Sequence, residues 1–219
     1  MFYLIPLCIL AAALFLHAEN NERYLAAVCL KGLASLCFVL LGISLAGPSV
    51  TARQIVIGTI LGMIADIFLN LRYLFKNKGR LVFLAGILIF LSGHIMYLLA
   101  IIPLAGNRLI CLICALIATV FLMKWLFERI SAEKAFKIFG VVYIGAIVAL
   151  NFLAAGALLK QPSAFTSIFF GGALLFLVSD IVLILNTFTK ESKLSLRITN
   201  IGLYYLGQLL IAVSLHFLK

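Results

Sequence analysis

"GMIADIFLNL", residues 62–71, and "FLVSDIVLIL", residues 176–185, each set one aspartate among apolar side chains, and the two stretches stand 114 residues apart in the same register. The chain has only seven acidic residues. Glu19, Glu22, Glu128, Glu133 and Glu191 fall in short polar breaks, whereas Asp66 and Asp180 fall inside long apolar runs. Two questions follow: what kind of chain surrounds these acids, and why each is there.

The surroundings are those of a membrane protein. Of 219 residues, 65% are hydrophobic and 11% charged, with a mean hydropathy of +1.25; a soluble domain is about half apolar and about a quarter charged. A bilayer core about 30 Å thick takes roughly 20 apolar residues per helical crossing. Charged and Pro/Gly breaks divide the chain into runs at 2–17, 24–46, 53–71, 81–102, 108–123, 136–158, 165–187 and 198–218. The fold class is therefore all-α, a polytopic membrane protein of about eight transmembrane helices forming a single domain over 1–219. A β-barrel is excluded, because the runs are continuous and lack strand alternation. Met1 to Leu16 holds no Lys or Arg, so the first run lacks the positive n-region of a signal peptide and is read as a retained helix.

The net charge of +10 is a topology signal. Arg23; Arg72, Lys76, Lys78 and Arg80; Lys124, Arg129, Lys134 and Lys137; and Lys190, Lys193 and Arg197 all fall in loops on one side. The other side carries only Arg53, Arg108, Lys160 and Lys219. The positive-inside rule places the first group in the cytoplasm and both termini outside it, in the plasma (inner) membrane. This distribution argues against nucleic acid as a partner and for anionic lipid headgroups. The five cysteines all lie in apolar runs. Cys111 and Cys114 have CxxC spacing but no His or acidic neighbours, so they are read as small apolar residues, and no metal is expected. Trp125, among basic residues, reads as an interfacial anchor.

The 114-residue shift extends beyond the acids. It superposes Gly42 on Gly156, Pro48-Ser49 on Pro162-Ser163, Gly58 on Gly172, Asp66-Ile67 on Asp180-Ile181, Lys76 on Lys190 and Gly93 on Gly207. Two four-helix halves follow, about 1–105 and 106–219. Four crossings return the chain to its starting side, so the halves run in the same sense, as in parallel repeats. The sequence expectation is that Asp66 and Asp180 face each other across a pseudo-axis. Each is followed 28 residues later by a polar side chain behind a glycine: His94 after Gly93, and Gln208 after Gly207. Gly58, Gly62 and Asp66 share a helix face, and small residues allow close helix approach in lipid, so that face is expected to point inward. Gly86, Phe90, His94 and Tyr97 make a similar stripe, as do Tyr204, Tyr205 and Gln208. At about 1.5 Å per residue, Asp66 lies roughly 9 Å from the cytoplasmic end of its helix and Asp180 roughly 10–15 Å.

A carboxylate at the bilayer centre costs at least about 2.5–3.5 kcal/mol on insertion scales. Two acids sharing a proton offer an acid and a base together. The plainer readings are that an aspartate caps a broken helix or pairs with Lys31, that His94 is a satisfied core residue, that the tyrosines pack, and that Gln208 bridges helices. His17 and His216 fall near helix ends and are assigned no role.

In order along the chain, "GMIADIFL", "GHIMYLLA", "FLVSDIVL" and "YYLGQLLI" resemble the YhhN-like lysoplasmalogenase family, over about Gly58 to Ser214. The chain departs from the pattern in having Ala65 before Asp66 and Gly207 before Gln208. The resemblance implies hydrolysis of the vinyl-ether bond of lysoplasmalogens, releasing a fatty aldehyde and glycerophosphoethanolamine or glycerophosphocholine. It implies Asp66 and Asp180 as the intramembrane acids; the repeat symmetry leaves their two roles open, and the chemistry is read with Asp180 as general acid and Asp66, nearer the water, as base. His94, Tyr97, Tyr204, Tyr205 and Gln208 would bind water or substrate, and Arg72, Lys76 and Lys190 would meet a phosphate headgroup at the cytoplasmic mouth. No cofactor is implied. The partners are a lysophospholipid substrate and the surrounding membrane lipids, and nothing in the sequence sets an oligomeric state. The main rival is a proton-coupled transporter, which also uses repeats and intramembrane acids; a purely structural membrane protein leaves the paired acids without a purpose.

Overall fold

Hydrocarbon offers no partner for backbone N–H and C=O groups, so a spanning segment has to satisfy its own by forming a helix. The computed structural model describes residues 1–75, 77–131, 134–189 and 191–218, with only the backbone of 134 and 135. Among these residues the helices are α1 (Leu4–Asn20), α2 (Tyr24–Leu45), α3 (Val50–Leu71), α4 (Gly79–Ile101), α5 (Arg108–Phe127), α6 (Lys134–Lys160), α7 (Ala164–Phe188) and α8 (Leu194–Ser214), followed by a 3₁₀ turn at Leu215–Phe217. Seven are long and apolar enough to cross a bilayer. The eighth, α1, has 17 residues, which span about 25 Å against a hydrocarbon core of about 30 Å. The protein is a multi-pass integral membrane protein; among the described residues seven helices are able to cross a bilayer and one apolar helix is shorter.

The side chains support this setting. In α5 only Ala115, Thr119, Met123 and Leu126 are buried, a single narrow stripe at helical spacing. Leu109, Leu116, Val120 and Phe121 are exposed. In water such a face would drive association; in hydrocarbon it faces its natural solvent.

Several helix limits differ from the apolar runs because capping, rather than hydropathy, sets them. α3 starts at Val50, three residues before the run read from Arg53, because Ser49 Oγ accepts from the Ala52 N–H at 3.1 Å. α7 begins the same way: Ser163 Oγ accepts from the Thr166 N–H at 3.2 Å, and the Ser163 N–H donates to Thr166 Oγ1 at 3.0 Å, a reciprocal capping box. The repeated Pro-Ser pair thus marks two equivalent helix starts.

The chain divides into two compact units, Met1–Tyr97 with Ile211–Lys219, and Leu98–Leu210. The division falls inside α4 and α8, whereas the halves read from the repeat meet at 105/106. In the first unit α1 packs on α2 and α2 on α3; in the second α5 packs on α6 and α6 on α7. Each unit also contains a glycine contact that brings two backbones together. A Cβ added to Gly93 of α4 would stand 3.2 Å from Gly58 O and 3.6 Å from Leu61 Cβ of α3. A Cβ added to Gly207 of α8 would stand 2.9 Å from Gly172 O and 3.5 Å from Leu175 Cβ of α7. The contacted atoms correspond under the 114-residue shift, so the internal repeat is a repeat of packing as well as of letters.

Candidate functional site

Four-residue spacing puts Gly58, Gly62, Asp66 and Asn70 on one face of α3, and all four are buried. Asp66 is 1% exposed. Its partners come from α2: Lys31 Nζ lies 3.1 Å from Oδ1, and Ser35 Oγ donates to Oδ2 at 2.6 Å. Lys31 and Ser35 are one turn apart, so a single face of α2 holds both carboxyl oxygens. The Lys31 ammonium also sits 5.4 Å from the centroid of the Phe15 ring of α1. The plainer sequence reading of Asp66, a pairing with Lys31, is therefore present as a contact, and it is a charged one, buried within the first unit.

Asp180, 2% exposed, has a different neighbour in the second unit. Tyr143 of α6 donates its phenolic O–H to Asp180 Oδ2 at 2.8 Å. The residue before the acid is tied to α8: Ser179 Oγ donates to Asn200 O at 3.1 Å, and Asn200 Nδ2 donates to Ser179 O at 3.0 Å and to its Oγ at 2.8 Å. Arg197 Nη1 in turn donates to Asn200 Oδ1 at 3.3 Å. This clamp fixes the rotation of α7 at the aspartate. Under the 114-residue shift Lys31 corresponds to Gly145, Ser35 to Ala149, Tyr143 to Cys29 and Asn200 to Gly86. The acids are equivalent in position but not in partners.

The remaining intramembrane candidates are buried as well. In the first unit His94 is fully enclosed, with its ring 5.8 Å from Phe90, and the Tyr97 ring packs directly on Gly58. In the second unit Tyr204, Tyr205 and Gln208 are buried; Tyr204 meets Phe176 edge-on at 5.3 Å and Tyr205 at 5.0 Å. Arg72 turns onto aromatic rings at the end of α3, with its guanidinium 4.7 Å from the Tyr73 ring and 4.4 Å from the Phe83 ring, and it donates to Tyr73 Oη at 2.7 Å. Lys76 and Lys190, the other headgroup candidates, lie outside the described residues, as do Glu133 and Lys219.

Ser35, Tyr143, Asn200 and Asn70 were not singled out from the sequence. The signal for Ser35 was its position one turn after Lys31, and that for Tyr143 its place as a rare polar side chain in α6. Asn70 is 3% exposed, and its Nδ2 has no hydrogen-bond partner among the described residues. An unsatisfied buried donor costs about 1–3 kcal/mol, so this amide, one turn beyond Asp66, suits a water or a polar ligand group.

Cys111 packs on Gly156, where an added Cβ would fall 2.6 Å from its Sγ. Among the described residues no group of three or more His, Cys, Asp or Glu side chains is placed to hold a metal. A cleft of about 740 Å³, lined by Arg108, Lys160, Asn107 and Cys111 among others, lies between the start of α5 and the end of α6. None of the candidate residues lines the cleft.

The family model described as the YhhN family matches residues 26–215. No curated protein and no solved structure matches the chain.

Proposed function

The chain belongs to the YhhN family, and on that premise we propose that it is an intramembrane hydrolase that cleaves the vinyl-ether bond of lysoplasmalogens. The products are a fatty aldehyde and glycerophosphoethanolamine or glycerophosphocholine. The observation that supports this reading best is the pair of buried aspartates at repeat-equivalent positions, each accepting a hydroxyl hydrogen bond.

The chemistry requires little more. A vinyl ether is protonated at its β-carbon to give an oxocarbenium ion, water adds at the α-carbon, and the hemiacetal collapses to aldehyde and alcohol. One carboxylic acid donates the proton, and one carboxylate stabilises the cation and activates the water. His94, Tyr97, Tyr204, Tyr205 and Gln208 would position that water and the ether, and Asn70 would donate to a water or to the glycerol portion. The phosphate would remain with basic side chains at the cytoplasmic surface of the plasma membrane, with Arg72 among them, and the alkyl chain would stay in apolar surroundings.

Purified protein incubated with vinyl-ether and with ordinary acyl lysophospholipids should release aldehyde from the first only. Asp66→Asn and Asp180→Asn should each lower the rate by at least about 10²-fold, the low end for general acid–base catalysis. Full activity in either variant rejects the two-acid mechanism. Proton-coupled solute uptake by proteoliposomes, with no aldehyde formed, assigns the chain to the transporter reading instead.

A further inference from the structure

We propose that the cleft between the start of α5 and the end of α6 binds the phosphate of an anionic phospholipid, held by Arg108 and Lys160. The site lies wholly within the second unit and stands independently of the hydrolase reading.

Close backbone approach builds the cleft. The Gly106 N–H donates to Gly156 O at 3.1 Å, so the turn before α5 lies directly on the last turns of α6. A Cβ added to Gly106 would stand 3.1 Å from Lys160 Cβ. That contact brings Arg108, the first residue of α5, and Lys160, the last of α6, to one opening of about 740 Å³, within the range of about 300–1,000 Å³ of small-molecule sites. Asn107 adds an amide that makes no capping hydrogen bond. Among the described residues no acid lines the cleft, and neither cation has an acidic partner. Arg108 is anchored through one bond, from Nη2 to Pro103 O at 2.9 Å. A guanidinium carries five N–H donors, so the others remain for an oxyanion.

The plainer readings account for less. A cation at the end of a helix balances the dipole there, which suits Lys160. It does not suit Arg108, which opens α5 with no acid in the first turn. The positive-inside rule accounts for the cations at the other end of these helices, where Lys124 and Arg129 lie, and leaves this pair on the sparsely charged side unexplained.

The apolar neighbours select the occupant. Leu159 and Ile110 line the same cleft and are 83% and 59% exposed, and Leu109 and Ile113 continue the exposed surface along α5. A free phosphate ion makes no use of them. A phospholipid sets its phosphate against the basic pair and lays its acyl chain along these side chains. Both helices are long enough to span a bilayer, so their ends fall at the level of the headgroups.

The test is native mass spectrometry of the full chain released from detergent micelles doped with phosphatidylglycerol or with zwitterionic phosphatidylcholine. Phosphatidylglycerol should bind at least about fivefold more tightly, the contribution of one basic residue near an anionic surface. Arg108→Gln and Lys160→Gln should each weaken it about fivefold and the double variant about 25-fold, whereas Lys160→Arg should bind as wild type. Arg53→Gln removes an exposed cation outside the cleft and should leave binding unchanged. Inorganic phosphate in molar excess should not displace the lipid. Equal binding of the two lipids by wild-type protein overturns the proposal without any variant. A double variant that binds as wild type, or an equal loss in Arg53→Gln, overturns it as well. Displacement by inorganic phosphate assigns the cleft to the free ion and rejects the lipid.

Discussion

Gly58→Ala tests the contact that seats Tyr97. An added Cβ falls 2.3 Å from Tyr97 Cε1, 2.6 Å from Cδ1 and 3.0 Å from Cζ, where carbon atoms rest at about 3.5–4.0 Å. The ring would have to retreat by roughly 1–1.5 Å. Tyr97 is 1% exposed, so there is no open space to retreat into. Moving α3 from α4 instead would open the contact between Gly58 O and Gly93. Overpacking costs about 1–3 kcal/mol, and a clash with the body of a ring belongs at the upper end. Alanine returns about 1 kcal/mol through its helix propensity, leaving a net loss of about 2 kcal/mol. For a chain of this length that lowers Tm by roughly 4–8 °C. Thermal unfolding in detergent micelles, followed by helical circular dichroism, measures it. Gly171→Ala and Gly202→Ala are the controls: an added Cβ there meets nothing within 4 Å, so both should unfold at or above the wild-type temperature. In a Tyr97→Leu background the Gly58→Ala substitution should cost less than about 1 kcal/mol, because the obstructing ring is gone. A Gly58→Ala protein as stable as wild type refutes the reasoning.

Two further substitutions probe the same architecture. Gly207→Ala places its Cβ against backbone, 2.9 Å from Gly172 O and 3.1 Å from Phe176 N; backbone cannot rotate aside, so the loss should be about 2–3 kcal/mol and should exceed that of Gly93→Ala, both read by the same melting assay. Asn70→Leu removes a buried amide donor with no partner among the described residues, so Tm should hold or rise, while KM for the vinyl-ether substrate should increase if the amide serves a ligand.

Much of this fold was legible because hydrocarbon leaves a chain few choices. Long apolar runs had to become helices, and the charges between them marked the turns. The helix ends were less legible. α3 begins with Val50, Thr51 and Ala52, which the apolar run read from Arg53 leaves outside, while Ser49 caps the helix before them. α5 continues past Met123 through Lys124 and Trp125, residues that suit the membrane interface and so look like the end of a run. Burial of Asp66, His94 and Tyr97 was legible too, since each shared a face with glycines. The Lys31 pairing of Asp66 was named from the sequence, but the hydroxyl partners were not: Ser35 and Tyr143 are ordinary residues in spanning helices, and no periodicity says which helix a lone hydroxyl will meet.

The comparison of the two units separates what a repeated sequence must keep from what it is free to change. Where α4 crosses α3 and α8 crosses α7, backbones approach within the reach of a single methyl group. No residue but glycine fits there without displacement, so Gly93 and Gly207 stay matched, with Gly58 and Gly172 beneath them. The acids stand eight residues along α3 and α7 from those contacts, and the crossing fixes their depth and facing. Among the contacts described above, Asp66 meets Lys31 and Ser35 of α2 and Asp180 meets Tyr143 of α6, and these residues do not correspond under the shift. Backbone packing therefore preserves the position of both carboxyls, while substitutions on the neighbouring helices change the side chains each one meets.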